Sequence, residues 1–478
     1  MSVLRAISPD LSRIRLVDQD CLSKRAAQIR EALLQGLERP FKHLIDISLG
    51  DAHRGGLQPI TFVRQVISAC LYPSLLDSGR LPIDVKSRAR NLLKQCEGES
   101  VGSYTATCGL PKIQHSLSEF ISRRDRGVPS SPENIFITSG SQQALMLVLR
   151  LFVHGKGSLQ TGIMTPVPSS PLFNMALSSL GGAMVPYHLC EEEGWTLRLD
   201  EMRRALATAR RHCNPMGLYV INPGNPVGQV QSQKSIEDVI RFAAEEKLFL
   251  LADEVYQDSV HDPTAEFVSY KRVLHEMGPP YSNTVELASF NSASKGFMGE
   301  CGLRGGYVEF VNLDSAVMGH VYTLFSTEAC TAVMGQIALD IMANPPRSGD
   351  ASYTAFFEEV QNRRNTLNNN AKRVQETLNS LDGMSCQPIR GGIYAFPQLH
   401  LPARAVAKAE EAGVAPDLLY CMLLLEEMGL CVGPGSEHLQ RKDTHHLRLC
   451  IATPEDTLQE VLERLSTFHL HFMRLFSG

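Results

Sequence analysis

Lys295 stands in LASFNSASKGFMGECGLRGGYVEF, where an apolar run of buried-strand character breaks into a turn rich in Ser and Gly. A lysine at a strand end normally points to solvent, and alone this one would be read that way. Its neighbours change the reading. Ser292, Ser294 and Arg304 gather hydroxyl donors and a guanidinium around one amine. Arg and Ser bind phosphate through charge-assisted hydrogen bonds, so the grouping suits a phosphate-bearing cofactor held on the amine as a Schiff base.

Three further segments carry chemistry-bearing residues at strand ends. KLFLLADEVYQD is a buried run ending in Asp253, Glu254 and Tyr256, where ligands of open α/β sheets bind, beyond the carboxyl ends of the strands. Asp253 there is either a helix cap or loop acid, or a carboxylate that holds a proton on a cofactor ring nitrogen. LYVINPGNPVGQV runs a strand into a rigid turn, and Asn225 is a turn former whose amide could also reach a ring hydroxyl. NIFITSGSQQALMLVL is strand, small-residue turn and helix, so the amides of Ser141 and Gln142 and the helix dipole are presented to an anion.

The elements that must position these residues follow from hydrophobic period. Short apolar runs alternate with amphipathic stretches from about residue 60 onward: NIFIT, QQALMLVLRLF, GLYVIN, SIEDVIRFAAEE, KLFLLAD. Continuous apolar strands separated by helices predict an α/β fold with a mostly parallel sheet covered on both faces. The spacing over 22–39 predicts a helix stopped by Pro40, and the charged stretch at 353–380 predicts a long one. After about 330 the pattern shifts to an α+β region with short strands at GGIYAF and HHLRLCIA. The expected division is 1–59 as an N-terminal arm and part of a small domain, 60–343 as a large cofactor-binding domain, and 344–478 as the C-terminal small domain, with ANPPRSGD as the junction.

Composition narrows the partners. With 43% hydrophobic and 20% charged residues, the 478-residue chain can bury a substantial core. The interspersed charges, net −5, give no footprint for nucleic acid. The longest apolar stretch, Leu418 to Leu425, is far short of the roughly 20 residues of a membrane span. Twelve cysteines form no C-x-x-C, so no metal site is expected and a reducing compartment fits. In MSVLRAISPDLSRIRL, Arg5 interrupts a signal-peptide core and Asp10 weakens a faint transit-peptide character. The expected location is the cytoplasm, with the mitochondrion as the alternative.

Taken in order, these segments resemble class I aminotransferases of pyridoxal-phosphate fold type I, the aspartate-aminotransferase-like fold. NPGNPVGQV, LLADEVYQD and SKGFMGECGLRGGYVE resemble alanine aminotransferases in particular, over roughly residues 43–470. The resemblance implies pyridoxal 5'-phosphate as cofactor and a seven-stranded-type sheet. It makes Lys295 the Schiff-base lysine and Asp253 the pyridinium partner, with Asn225 and Tyr256 as donors to the ring hydroxyl. Ser292, Arg304 and the backbone of Ser141 and Gln142 become the phosphate cup. Arg448, otherwise an exposed strand arginine, would grip the substrate α-carboxylate, with Gly50 and Asn225 also on the substrate side. Tyr104 in ESVGSYTATCGLP would reach across a homodimer to the neighbouring site.

The implied reaction is transamination between an amino acid and a 2-oxo acid, alanine with 2-oxoglutarate in the first place. A fold-type-I lyase of the aminocyclopropane-carboxylate-synthase type and a weakly active or non-catalytic paralogue are the alternatives. The chain departs from the family at Ser170 in TPVPSSPLF, where an aromatic ring usually stacks on the cofactor, with Phe173 three residues on as another possible source of the ring. Val227 and Ala293 stand where threonine is usual.

Overall fold

A computed structural model describes residues 19–477, so the expectation for MSVLRAISPDLSRIRL lies outside the described residues. The central sheet has seven strands: β1 (Ile135–Thr138), β2 (Thr161–Val167), β3 (Ala183–His188), β4 (Asn214–Ile221), β5 (Phe249–Asp253), β6 (Leu287–Ser292) and β7 (Gly306–Val311). They lie in the spatial order β1-β7-β6-β5-β4-β2-β3. Only β7 runs against the others, pairing antiparallel with both β1 and β6. The mostly parallel sheet read from the apolar runs is therefore present, and every residue of β1, β2 and β6 is buried, as a sheet covered on both faces requires.

Strand alternation decides which side chains reach the site. In β4, Leu218 and Val220 pack on one face with Ile236, Val239 and Ile240 of the helix Gln233–Glu246. Tyr219 and Ile221 face the opposite side, with Leu145, Val148 and Leu149 of the helix Ser141–Phe152. The helix Gln233–Glu246 is started by Ser232, whose side chain accepts from the Ser235 amide. It ends at Lys247 in the left-handed conformation, where the Leu248 amide bonds back to the Ala243 carbonyl and turns the chain into β5. That turn sets Asp253 at the carboxyl edge of the sheet.

Two expectations about helices need correction. The N-terminal helix spans Gln19–Leu34 and stops at Gly36, with φ +77°, rather than at Pro40, because a glycine in the left-handed region ends a helix without steric cost. The β/α alternation also begins later than residue 60. Helices Thr61–Leu71, Ile83–Leu93 and Pro111–Arg124 come first, since Phe62, Val63, Val66, Ile67 and Cys70 repeat at helical rather than strand spacing. The expected long helix is there as Tyr353–Asn379. Its Phe356 and Val360 pack with the helices of residues 60–121, while Leu367, Ala371, Val374 and Leu378 join a core shared by residues 22–52 and 384–476. The predicted strands GGIYAF and HHLRLCIA shorten to Tyr394–Ala395 and Leu447–Cys450, which pair antiparallel.

One buried ion pair ties the helix Tyr270–Glu276 to β7: Lys271 with Glu309, 5% and 2% exposed, the Ser130 hydroxyl also donating to that carboxylate. Removing one partner of a buried pair typically costs about 3–5 kcal/mol, whereas apolar replacement of both is often neutral. Lys271→Met is expected to lower the thermal midpoint by several degrees, and Lys271→Met combined with Glu309→Leu to regain most of it. A melt in which the double variant is the less stable of the two would contradict this account.

Candidate active site

A cavity of about 530 Å³ opens at the carboxyl ends of β4, β5 and β6. It gathers every candidate residue except Tyr104 and Glu254, the latter buried and accepting from the Tyr270 amide and the Ser289 hydroxyl. Asn225, Asp253, Tyr256 and Lys295 line it from the large sheet, and Arg448 and Gly50 from the opposite side. Ser141, Gln142, Ser170, Ser292 and Arg304 complete the wall. Tyr104 lies outside, 82% exposed on the loop before the helix Pro111–Arg124.

Asp253 is half-buried, its Oδ2 accepting from the Tyr219 phenol at 2.9 Å and its Oδ1 from the Val255 amide at 3.3 Å. Burial pushes its carboxyl above the usual range, while the Tyr219 and Val255 donors and the Lys295 charge pull the other way. The Lys295 amine donates to the Gly50 carbonyl. Burial opposes its charge, but Tyr394, Cys301 and Cys450 beside it outweigh that, and it sits above the ordinary lysine value. Tyr256 is held well above the usual phenol range, first by burial and then by Tyr394 and Asp253, so it is a donor throughout the working range.

Around Arg304 the backbone builds an anion cradle. Gly140, at φ +94°, precedes the helix Ser141–Phe152, and a Cβ there would fall within the Arg304 guanidinium. Arg304 itself takes the left-handed conformation and is braced by the Cys301 and Ser139 carbonyls, each at 2.9 Å, which leaves other donors of its planar fork to face the cavity. The Ser141 and Gln142 amides are among the first of that helix, which find no acceptor within it, and the Ser292 side chain lies alongside.

Arg448 is 6% exposed, donates to the Ser48 carbonyl at 2.7 Å and lies 4.5 Å from the centre of the Tyr394 ring. Its Nε and the Asn225 Oδ1 are buried without a hydrogen-bond partner. Buried polar atoms are seldom left unpaired unless a ligand takes them. An anion cradle, a nucleophilic amine, a half-buried carboxylate and two unmatched polar groups in one cavity fit a phosphorylated, ring-nitrogen cofactor and a carboxylate substrate.

The family model for aminotransferase class I and II matches residues 72–465. The chain belongs to this family. It is a pyridoxal-phosphate-dependent aminotransferase with the aspartate-aminotransferase-like fold. It is 47% identical to alanine aminotransferase 2 of Xenopus laevis, over 99% of this chain and 88% of that one, and 46% identical to human alanine aminotransferase 1, over 99% and 96%. Glutamate–glyoxylate aminotransferase 1 of Arabidopsis thaliana is 38% identical over 97% and 98%. Among solved structures, the alanine aminotransferase of Pyrococcus furiosus superposes with a TM-score of 0.75 at 19% identity, covering 98% of this chain and 100% of that one, a likeness of fold.

Two aromatic side chains in the wall, Tyr219 and Tyr394, escaped sequence reading, because in strands they are indistinguishable from ordinary core. Phe173, expected as another possible source of the stacking ring, lies stacked on Tyr219, with ring centroids 3.9 Å apart and planes 7° from parallel. Val227 and Ala293, where the family tends to threonine, are buried among apolar neighbours, 4% and 0% exposed. At Gly50 the reason for glycine is steric, since a Cβ would overlap the Tyr394 hydroxyl. Gly50→Ala is therefore expected to displace Tyr394 and, with it, the Arg448 guanidinium, so that KM for the amino acid rises at least tenfold while the melting curve changes little. An unchanged KM would show that the Tyr394 ring moves aside without cost.

Proposed function

We propose that the chain exchanges an amino group between L-alanine and 2-oxoglutarate, yielding pyruvate and L-glutamate, as a cytoplasmic homodimer. What carries the reading is the convergence of Lys295, Asp253, Arg304 and Arg448 on one cavity in a chain related over nearly its whole length to alanine aminotransferases.

Bound there, pyridoxal phosphate supplies an aldehyde that captures the amino group and a ring that draws negative charge from Cα. The chain's own groups do the rest. The Ser141 and Gln142 amides, the Ser292 hydroxyl and the Arg304 guanidinium hold the phosphate. Asp253 keeps the ring nitrogen protonated, and Asn225 with Tyr256 donates to the ring hydroxyl. Arg448 binds the substrate α-carboxylate beside the Gly50 backbone. Lys295 would hold the cofactor covalently and, as a free amine, would move the proton at Cα.

The dimer is supported by Tyr104, which the family resemblance assigns to the neighbouring site and which stands 82% exposed, outside this chain's own cavity. The twelve free thiols are the reason to place the protein in a reducing compartment.

Lys295→Ala is expected to abolish turnover and the cofactor's visible absorbance. Arg448→Ala should chiefly raise KM for alanine, by roughly tenfold or more, the loss of a hydrogen bond to a charged group. A donor and acceptor screen, including the glyoxylate in the Arabidopsis relative's name, tests the substrate pair, and a preference for a donor other than alanine would overturn it. Sedimentation at assay concentration is expected to give a mass of two chains; a fully active monomer would refute the dimer.

Ser170 stands just before the helix Pro171–Ser179 without a side-chain capping bond and offers no ring to the cavity, a deficit of about 0.5–1.5 kcal/mol of stacking. Ser170→Tyr is expected to slow cofactor loss during dialysis against a competing amine by up to roughly tenfold. Identical loss curves would mean that the cofactor face is covered by another side chain.

A further inference from the structure

Asp253 is the carboxylate at the carboxyl edge of β5, and a phenol is directed at it. Register pairs Ile221 with Asp253 and Tyr219 with Leu251, so Tyr219 sits two residues back on the neighbouring strand, on the same face of the sheet. Its hydroxyl donates to Asp253 Oδ2 at 2.9 Å. Phe173 lies flat against its ring, and both rings line the cavity that holds Lys295. A phenylalanine at 219 would fill the same core volume, so packing alone does not call for the hydroxyl. Nor does the backbone call for it, since the Tyr219 carbonyl already accepts from Tyr187 at 2.9 Å.

We propose that Tyr219 is a positioning residue for transamination: its O–H, fixed by the Phe173 stack, orients the Asp253 carboxylate toward the cofactor ring and keeps it ionised. This rests on the reading of Asp253 as the partner of the ring nitrogen. A carboxylate out of water is ionised only while donors and charges near it compensate for burial. The titratable groups facing Asp253 are Tyr219 from β4, Tyr256 from the segment after β5 and Lys295 from the turn after β6. Of these, Lys295 is consumed as a charge when it bonds to the cofactor or transfers a proton. The Val255 amide, at 3.3 Å, is the longer contact. Tyr219 is the side-chain donor that is constant through the cycle, and burial beside the Asp253 charge holds its own titration far above the working range, so it never becomes an acceptor.

The test is Tyr219→Phe, which keeps the ring and its stack and deletes one oxygen. In the holoenzyme, kcat is expected to fall about tenfold or more while KM for alanine moves less than twofold, because the lost bond acts on the ring and not on the substrate carboxylate. A second readout does not depend on turnover. In the apoprotein, the infrared band of the protonated Asp253 carboxyl, assigned by its disappearance in Asp253→Asn, should appear with a midpoint about one pH unit higher in Tyr219→Phe than in the parent. Phe173→Leu, which frees the phenol without removing it, should move the midpoint the same way by less. An unmoved carboxyl midpoint in Tyr219→Phe would overturn the proposal, as would an unmoved kcat. Full turnover by Asp253→Asn would instead sink the reading of Asp253 on which the proposal stands.

Discussion

A carboxylate, an ammonium and a guanidinium cannot be withdrawn from water one at a time. Each would shed its charge or cost several kcal/mol, and the partners arranged around Asp253, Lys295 and Arg448 are what make their withdrawal from bulk water, partial for the first two, tolerable. The compensation is specific. Asp253 has the Tyr219 phenol and the Val255 amide, Lys295 has the Gly50 carbonyl, and Arg448 has the Ser48 carbonyl and the Tyr394 ring. Gly50 and Ser48 lie on one segment, so a single stretch of backbone near residue 50 accepts from both cations. The two halves of the site are thereby fixed to each other through main-chain carbonyls, which no side-chain substitution removes.

That arrangement imposes tight approaches elsewhere. The guanidinium of Arg304 occupies the space a side chain at 140 would need, and a Cβ at Gly306 would meet the backbone between Gly140 and Ser141. The antiparallel β7 is thus pressed against the start of the helix Ser141–Phe152, and this brings Arg304, at the head of β7, to the helix end whose amides point into the cavity. An all-parallel strand order would have put the start of that strand at the opposite edge of the sheet. One reversed strand is what delivers the arginine to the anion cradle.

Residues at strand ends were legible because their position follows from local period. An apolar run that stops at Asp253, or breaks into the turn bearing Lys295, announces the carboxyl edge of a sheet, and the edge announces the site. Arg448 and Gly50 carry no such signal. They come to the cavity through pairings hundreds of residues apart in sequence, such as that of Arg448 with Ser48, and only resemblance to a family pointed to them. The helix stop at Gly36 was misread because Pro40 is the louder punctuation, although the left-handed glycine acts first. Tyr219 was invisible for another reason. Its ring fits a core strand so ordinarily that only the direction of one hydroxyl sets it apart.

The change at Ser170 and the aromatic pair nearby are best understood together. A ring that lies on a cofactor offers it one face; the Phe173 ring, 3.9 Å from Tyr219 and nearly parallel to it, has a face committed to another side chain. Aromatic surface is therefore still present in the wall, but it is directed at the support of Asp253 rather than supplied from position 170. The two arrangements act on different quantities. Stacking from 170 would strengthen retention of the cofactor before any reaction, an attraction equal in ground and transition states. A fixed, ionised carboxylate matters most where negative charge builds on the ring, and so acts on the rate. With the phosphate cup and the covalent bond to Lys295 serving retention independently, loss of the 170 ring is a loss the site can absorb, whereas the carboxylate's orientation, without the Tyr219 hydroxyl, would rest on one long amide contact.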